Sequence, residues 1–220
     1  MDRLTDLYVR TENAIDAMRD AEDGATAVEY GLMIALIAII TFVFLAYEFR
    51  SLLLPIKAIL LNLLSVAAAW GIMVWVWQEG HLSEAIWGTS ATGAITAFIP
   101  LMVFAFLYGL SMDYEVFILS RIKEDVDSGT NTRDAVAQGI AETAGTVTSA
   151  AAIMVVVFLV FVTLRLVIIR EVGMGLAVAV FLDATLIRSV LLPATMRLLG
   201  EWNWYLPPFL RWLPRIQIEG

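Results

Sequence analysis

The chain has 220 residues, 60% of them hydrophobic and 16% charged, with a net charge of −8. Soluble domains carry about 25% charged residues, so this composition excludes an ordinary water-soluble globule. The absence of cysteine excludes disulfides, zinc–thiolate sites and iron–sulfur ligation, and the single histidine, His81, cannot build a multi-histidine metal site, so neither a metal nor a cofactor is expected. There is no basic patch, and nucleic acid is not an expected partner.

Residues 1–24 form a charged leader with seven acids and three bases, Arg3, Arg10 and Arg19. Apolar runs then follow that reach the ~18 residues needed to span a bilayer as a helix. Five spanning helices are predicted, at about Tyr30–Tyr47, Leu52–Trp77, Ala97–Leu119, Thr143–Leu164 and Val172–Leu199. The expected fold is therefore all-α: an integral membrane helical bundle of about five transmembrane helices plus a cytoplasmic amphipathic helix, with membrane lipids as its surroundings. The loop Gln78–Thr96 is rich in Gly, Ser and Thr and has no Lys or Arg. Arg50, Arg121, Lys123, Arg133, Arg211 and Arg215 fall on the other side if the helices alternate, and the positive-inside rule makes that side cytoplasmic. Arg165 and Arg170 would then lie outside.

Ser120–Glu142 is expected to be the surface helix, broken by the turn signal Asp127-Ser-Gly-Thr-Asn. Thr132 is placed to cap its second part, with Ala135, Val136 and Ile140 on the apolar face. Small residues cluster at Ala67–Gly71, Thr143–Ala152 and Gly173–Ala179. They are read as packing residues that let helix backbones approach. The tail after Gly200, with Trp202, Trp204, Tyr205, Trp212 and two arginines, has the composition of a membrane interface.

Four acids stand out in or at the apolar runs. Asp113, followed by Tyr114, lies near the inner end of Ala97–Leu119. A carboxylic acid in hydrocarbon costs at least ~2.5–3.5 kcal/mol, and such residues mark proton or ion pathways. Gly109, one turn earlier, opens room beside Asp113, which can load and release protons, while Tyr114 offers a hydroxyl for relay. The other reading is a helix-end acid that reaches interfacial water. Glu115 is expected nearer the interface and solvated. Asp183 lies near the middle of Val172–Leu199, and Arg188 follows five residues later, about 140° round an α-helix. The two are therefore expected to face different neighbours, each pairing with another helix. Glu29 opens the first apolar stretch and reads as an interfacial acid. No Gly-X-Ser-X-Gly, His-Glu-X-X-His or P-loop occurs, so no enzyme activity is expected.

Residues 41–220 resemble the second half of an MMPL-type transporter of the RND superfamily. The matching stretches are Phe49-Arg-Ser-Leu-Leu-Leu-Pro-Ile-Lys-Ala, Asn62-Leu-Leu-Ser-Val, Gly109-Leu-Ser-Met-Asp-Tyr-Glu-Val-Phe-Ile-Leu-Ser-Arg, Leu182-Asp-Ala-Thr-Leu-Ile-Arg and Leu192-Pro-Ala-Thr-Met-Arg-Leu-Leu-Gly-Glu-Trp-Asn-Trp-Tyr-Leu-Pro. The resemblance implies a multi-pass protein of the bacterial cytoplasmic (inner) membrane, driven by the proton motive force, that exports lipids or other hydrophobic compounds. It also implies that Asp113 and Tyr114 form one arm of a proton relay, with Asp183 and Arg188 in support. A whole transporter of that kind has two six-helix halves with large extracytoplasmic domains and a second Asp-Tyr pair. Transport by this stretch is therefore expected to need a complementary half or self-association.

Residues 1–40 are similar to something else. Asp23-Gly-Ala-Thr-Ala-Val-Glu-Tyr-Gly-Leu-Met-Ile-Ala-Leu-Ile-Ala resembles the start of Flp-type pilins. That resemblance implies cleavage by a prepilin peptidase after Gly24 and a role for Glu29 in subunit assembly, and it offers a pilin-like structural protein as the alternative function. It also sets the first helix running outward, opposite to the direction the transporter resemblance needs.

Overall fold

The computed structural model describes residues 26, 28–96 and 98–210. Among them five helices are long and apolar enough to cross a membrane: Val28–Glu48, Leu53–Gln78, Phe98–Asp127, Thr132–Val162 and Val167–Trp204. No described residue is in a strand. The all-α membrane bundle expected from the composition is what forms.

Two compact units divide the chain between Ile39 and Ile40. The described part of the first unit is the N-terminal portion of helix α1 (Val28–Glu48), with Val28, Leu32, Leu36 and Ile39 exposed. Glu29 is also exposed there. Gly24 and the proposed cleavage point lie outside the described residues.

The second unit holds the end of α1 and all later elements. These are α2 (Leu53–Met73, continued by a π-helical turn to Gln78), the short α3 (Ser83–Trp87), α4 (Phe98–Asp127) and α5 (Thr132–Val162). Next comes α6 (Val167–Leu182), a π-helical segment (Asp183–Leu191) and α7 (Leu192–Leu199), which run on as one long rod. The apolar surface points outward: Leu60, Phe106, Val156, Val160 and Val190 are all exposed. Inside lie polar and charged side chains, among them Lys57, Asn62, Ser111, Glu115, Asp183 and Arg188. With lipid as apolar as leucine, burial of hydrocarbon does not hold such helices together; close packing and interhelical hydrogen bonds do.

Helix α6 is central and packs on α2, α4 and α5. Its glycines permit this. A Cβ on Gly173 would lie 2.6 Å from Phe161 Cβ and 2.8 Å from the Phe158 carbonyl oxygen, and one on Gly175 would lie 3.0 Å from Val103 Cγ2. Gly139 plays the same part between α5 and α4, with its missing Cβ 2.6 Å from Ile122 Cγ1 and 3.1 Å from Ile122 N.

The expected separate surface helix at Ser120–Glu142 does not form. Helix α4 instead runs unbroken through Ser120 to Asp127, and α5 starts at Thr132 and continues into its apolar run. Both helices simply extend beyond their apolar stretches. Arg121 ties the extensions together, its Nε donating to Glu142 at 2.7 Å and its Nη1 to Glu124 at 2.6 Å. The expected cap is also displaced by one residue. Asn131, not Thr132, is the N-cap, its Oδ1 accepting from Asp134 N at 3.0 Å. Thr132 instead donates to Glu201 Oε1 at 2.6 Å and accepts from Trp204 Nε1 at 3.1 Å. The apolar face was placed correctly: Ala135 and Val136 are fully buried, with Ile140 packed against them.

That end of the second unit is laced by further hydrogen bonds. Ser51 Oγ donates to the Asn203 carbonyl at 2.5 Å, and Leu52 N donates to the Tyr205 carbonyl at 3.2 Å. The opposite end holds the Gln78–Thr96 loop, where Thr92 N and Oγ1 both donate to the Trp77 carbonyl and Trp77 stacks on Trp87. His81 stacks there on Trp75, at the surface.

Candidate proton-relay site

Helix geometry sorts the residues of the Ser-Met-Asp-Tyr-Glu stretch. Ser111 and Glu115 are four apart, so they share a face, and both are buried. Asp113 lies midway between them, about 200° round from each. It is exposed, as are Ala105, Gly109 and Phe117. Tyr114 falls at the boundary and is half-buried. Asp113 and Tyr114 therefore sit on the rim and open face of α4, with open space around Gly109. Glu115, expected to be solvated, points into the bundle and is 5% exposed.

Ser111 is the hub of the inward face. Its hydroxyl contacts Asn62 Oδ1 on α2 and Asp183 Oδ1 at 3.1 Å on the π-helical segment. A hydroxyl has one proton, so it serves one of these oxygens at a time. Arg188 donates from Nη2 to the Ser111 carbonyl at 2.7 Å and to Ser111 Oγ at 3.0 Å. Three separate elements thus meet through one small side chain.

Asp183 and Arg188 do face each other, contrary to the expectation. Arg188 Nε and Nη2 lie 2.7 and 2.6 Å from Asp183 Oδ2, and both residues are buried. The expectation assumed α-helical rotation. Residues 183–191 are π-helical, with bonds from i to i+5, and that winding sets residues five apart one above the other. The same guanidinium sits 4.9 Å from the centroid of the Tyr114 ring, within cation–π range. Arg188 therefore joins the Asp183 carboxylate to the tyrosine of the Asp-Tyr pair. Among the described residues the Tyr114 hydroxyl makes one weak contact, 3.7 Å to Met154 Sδ.

Sequence reasoning passed over Asn62, Ser111 and Lys57. All three were legible as polar residues in apolar helices, and Lys57, Asn62 and Ser111 stand inside the quoted transporter-like stretches. Among the described residues no group of three His, Cys, Asp or Glu side chains could hold a metal ion.

The MMPL family profile matches residues 14–217. The chain belongs to the MMPL family. That range begins inside the leader and takes in Glu29 and the whole of the Tyr30–Tyr47 stretch, so the family match overlaps the residues that resemble a pilin. Individual MMPL relatives agree. A mycolic acid-containing lipids exporter, MmpL11, of Mycolicibacterium smegmatis is 42% identical over 92% of this chain and 20% of its own length. The heme uptake protein MmpL11 of Mycobacterium tuberculosis is 42% identical over 90% of this chain and 20% of its own. The trehalose monomycolate exporter MmpL3 of Mycobacterium tuberculosis is 38% identical over 84% of this chain and 19% of its own. The chain thus spans about a fifth of the length of these MMPL relatives. Like other members of the family it is a multi-pass inner-membrane protein.

Proposed function

We propose that this chain is the energy-coupling membrane segment of an MMPL-type, proton-driven exporter of lipids or other hydrophobic compounds. Asp113 takes up and releases the proton, Tyr114 relays or positions it, and Asp183 and Arg188 hold Tyr114. The observation that carries this reading is the bond pattern of Arg188, which grips Asp183 at 2.6 Å and lies 4.9 Å from the Tyr114 ring. A guanidinium fixed by a carboxylate and by Ser111 is a rigid support, and a tyrosine resting on it has a defined place.

The position of Asp113 suits a site shared between two surfaces. It stands on an open helix face beside Gly109, where no heavy atom would lie within 4 Å of an added Cβ. A second helix can approach closely over a glycine. A complementary transporter half, or a second copy of this segment, would bring its own groups to Asp113 there. Protonation of Asp113 then removes a charge from that junction and changes how the two surfaces fit. The cargo is taken as hydrophobic from the names of two relatives, the exporters of mycolic acid-containing lipids and of trehalose monomycolate. The name of a third refers to heme, so likeness in this segment does not by itself fix the cargo.

The test is Asp113→Asn in a transporter that contains this segment and its complementary half. Export driven by a proton gradient should be lost while membrane insertion is unchanged. Undiminished export by that variant would overturn the reading.

A further inference from the structure

Three buried charged residues are not used by the relay described above: Lys57, Glu115 and, on α6, Glu171. Lys57 stands on α2 and Glu115 on α4, 7% and 5% exposed. Lys57 Nζ and Glu115 Oε1 both lack a hydrogen-bond partner among the described residues. The two groups nevertheless act on each other electrostatically across the α2–α4 contact. Glu115 also lines a small cleft with Asn62, Ser111, Asp183 and Arg188.

A buried ion pair kept for structure closes to contact, because direct N–H···O bonds are what offset the desolvation of both charges. Asp183 and Arg188, which line the same cleft as Glu115, do this. Lys57 and Glu115 do not, and each leaves a bonding position open at a depth where an open position costs free energy. The charged groups acting on Glu115 are Lys57 from α2 and Arg188 and Asp183 from the π-helical segment; none from α5 or α6 does so. On α4 itself Tyr108 lies two turns earlier on the inward side, and Asp113 faces away. Lys57, Arg188, Glu115 and Asp183 make a balanced set of two cations and two anions. The one carboxylate in it without an ion pair can accept a proton without breaking a bond.

We infer that Glu115 is a second proton-binding carboxyl of this segment, placed inside the bundle, with Lys57 as its counter-charge. The inference rests on the proton-driven reading of the segment but not on the role of Asp113. A hydronium ion from the aqueous phase gives its proton to the Glu115 carboxylate. One O–H bond breaks in the hydronium and one forms on Glu115, leaving water. The reverse step returns the proton to water. When Glu115 is neutral the attraction between α2 and α4 lapses at this point, which ties the charge state of Glu115 to helix packing.

The experiment is infrared difference spectroscopy of the 220-residue chain in lipid nanodiscs, between mildly acidic and mildly alkaline buffer. The carbonyl-stretch band of a protonated carboxylic acid is followed in the wild type and in variants. A band that vanishes in Glu115→Gln, returns at a shifted frequency in Glu115→Asp and persists in Asp113→Asn is the expected result. The pH midpoint of that band should move in Lys57→Met. A band set unchanged in Glu115→Gln would overturn the inference, whatever Asp113→Asn does. An unmoved midpoint in Lys57→Met would overturn the part given to Lys57. Loss of a separate band in Asp113→Asn reports on the proposed relay alone, so the two readings fail independently.

Discussion

At the residue scale the decisive fact is that one arginine serves three partners. Arg188 pairs with Asp183, donates twice to Ser111 and underlies Tyr114. Arg188→Ala would leave the Asp183 carboxylate buried without a counter-charge, a loss of about 3–5 kcal/mol. The expected outcome is a strongly lowered unfolding temperature in detergent or nanodiscs. The double variant Asp183→Leu with Arg188→Met should be milder, because no lone charge remains. Arg188→Lys separates stability from function. An ammonium can still meet Asp183, but it lacks the planar fork that also reaches Ser111 and the tyrosine ring. It should keep most of the stability and lose export, measured by the two assays side by side. Asp113, Asp183 and Arg188 stand out in the sequence because each is a costly residue in an apolar run, and Tyr114 because it adjoins Asp113. Their directions do not. Asp113 faces outward and Glu115 inward because the neighbours of α4 lie on the Ser111 side, and that is a property of packing between helices, not of the local stretch.

Elements were legible to different degrees for physical reasons. The apolar runs fixed the five spans, since lipid demands continuous helix wherever the chain crosses it. From sequence alone the extension of α4 and α5 past those runs reads as a separate helix, because a change from apolar to amphipathic composition looks the same whether or not the helix breaks. The π-helical segment left no sign that spacing rules could use. It was the one place where assuming 3.6 residues per turn gave the wrong partner for Arg188. The glycines are testable at this scale. Gly139→Ala places a methyl against backbone N and Cγ1 of Ile122, and neither can retreat without moving α4. It should destabilise by about 1–3 kcal/mol, as overpacking does. Gly145→Ala, six residues on in the same helix, meets nothing within 4 Å. It should be neutral or slightly stabilising, since alanine is the better helix former by about 1 kcal/mol. Thermal unfolding of the two variants compared with the parent checks the contrast.

At the scale of the whole molecule the remaining question is which end faces the cytoplasm. Helix α4 is 30 residues long, about 45 Å at 1.5 Å per residue, which exceeds the ~30 Å hydrocarbon core. The Gln78–Thr96 loop before it and the Ser128–Asn131 turn after it must then emerge on opposite sides. Arg121, Lys123 and Arg133 flank the turn, and Arg50 and Arg197 belong to the same end through the Ser51–Asn203 contacts and α7. Arg165 and Arg170 flank the other end, where Arg170 donates to the carbonyl of Leu164 and to Thr89 Oγ1 at 3.4 Å. By the positive-inside rule the excess of bases predicts that the turn is cytoplasmic. The absence of cysteine makes this directly measurable, because a single introduced cysteine is the only thiol. Ser90 and Ser128 are both exposed and lie in the loop and the turn. A membrane-impermeant maleimide applied to intact cells should label Ser90→Cys at once and Ser128→Cys only after permeabilisation. The opposite pattern would invert the bundle and put the weaker basic cluster inside. Equal labelling of both from outside would mean that α4 does not span. In the proposed relay, the expected pattern would put the slightly nearer end of α4 on the cytoplasmic side of Asp113.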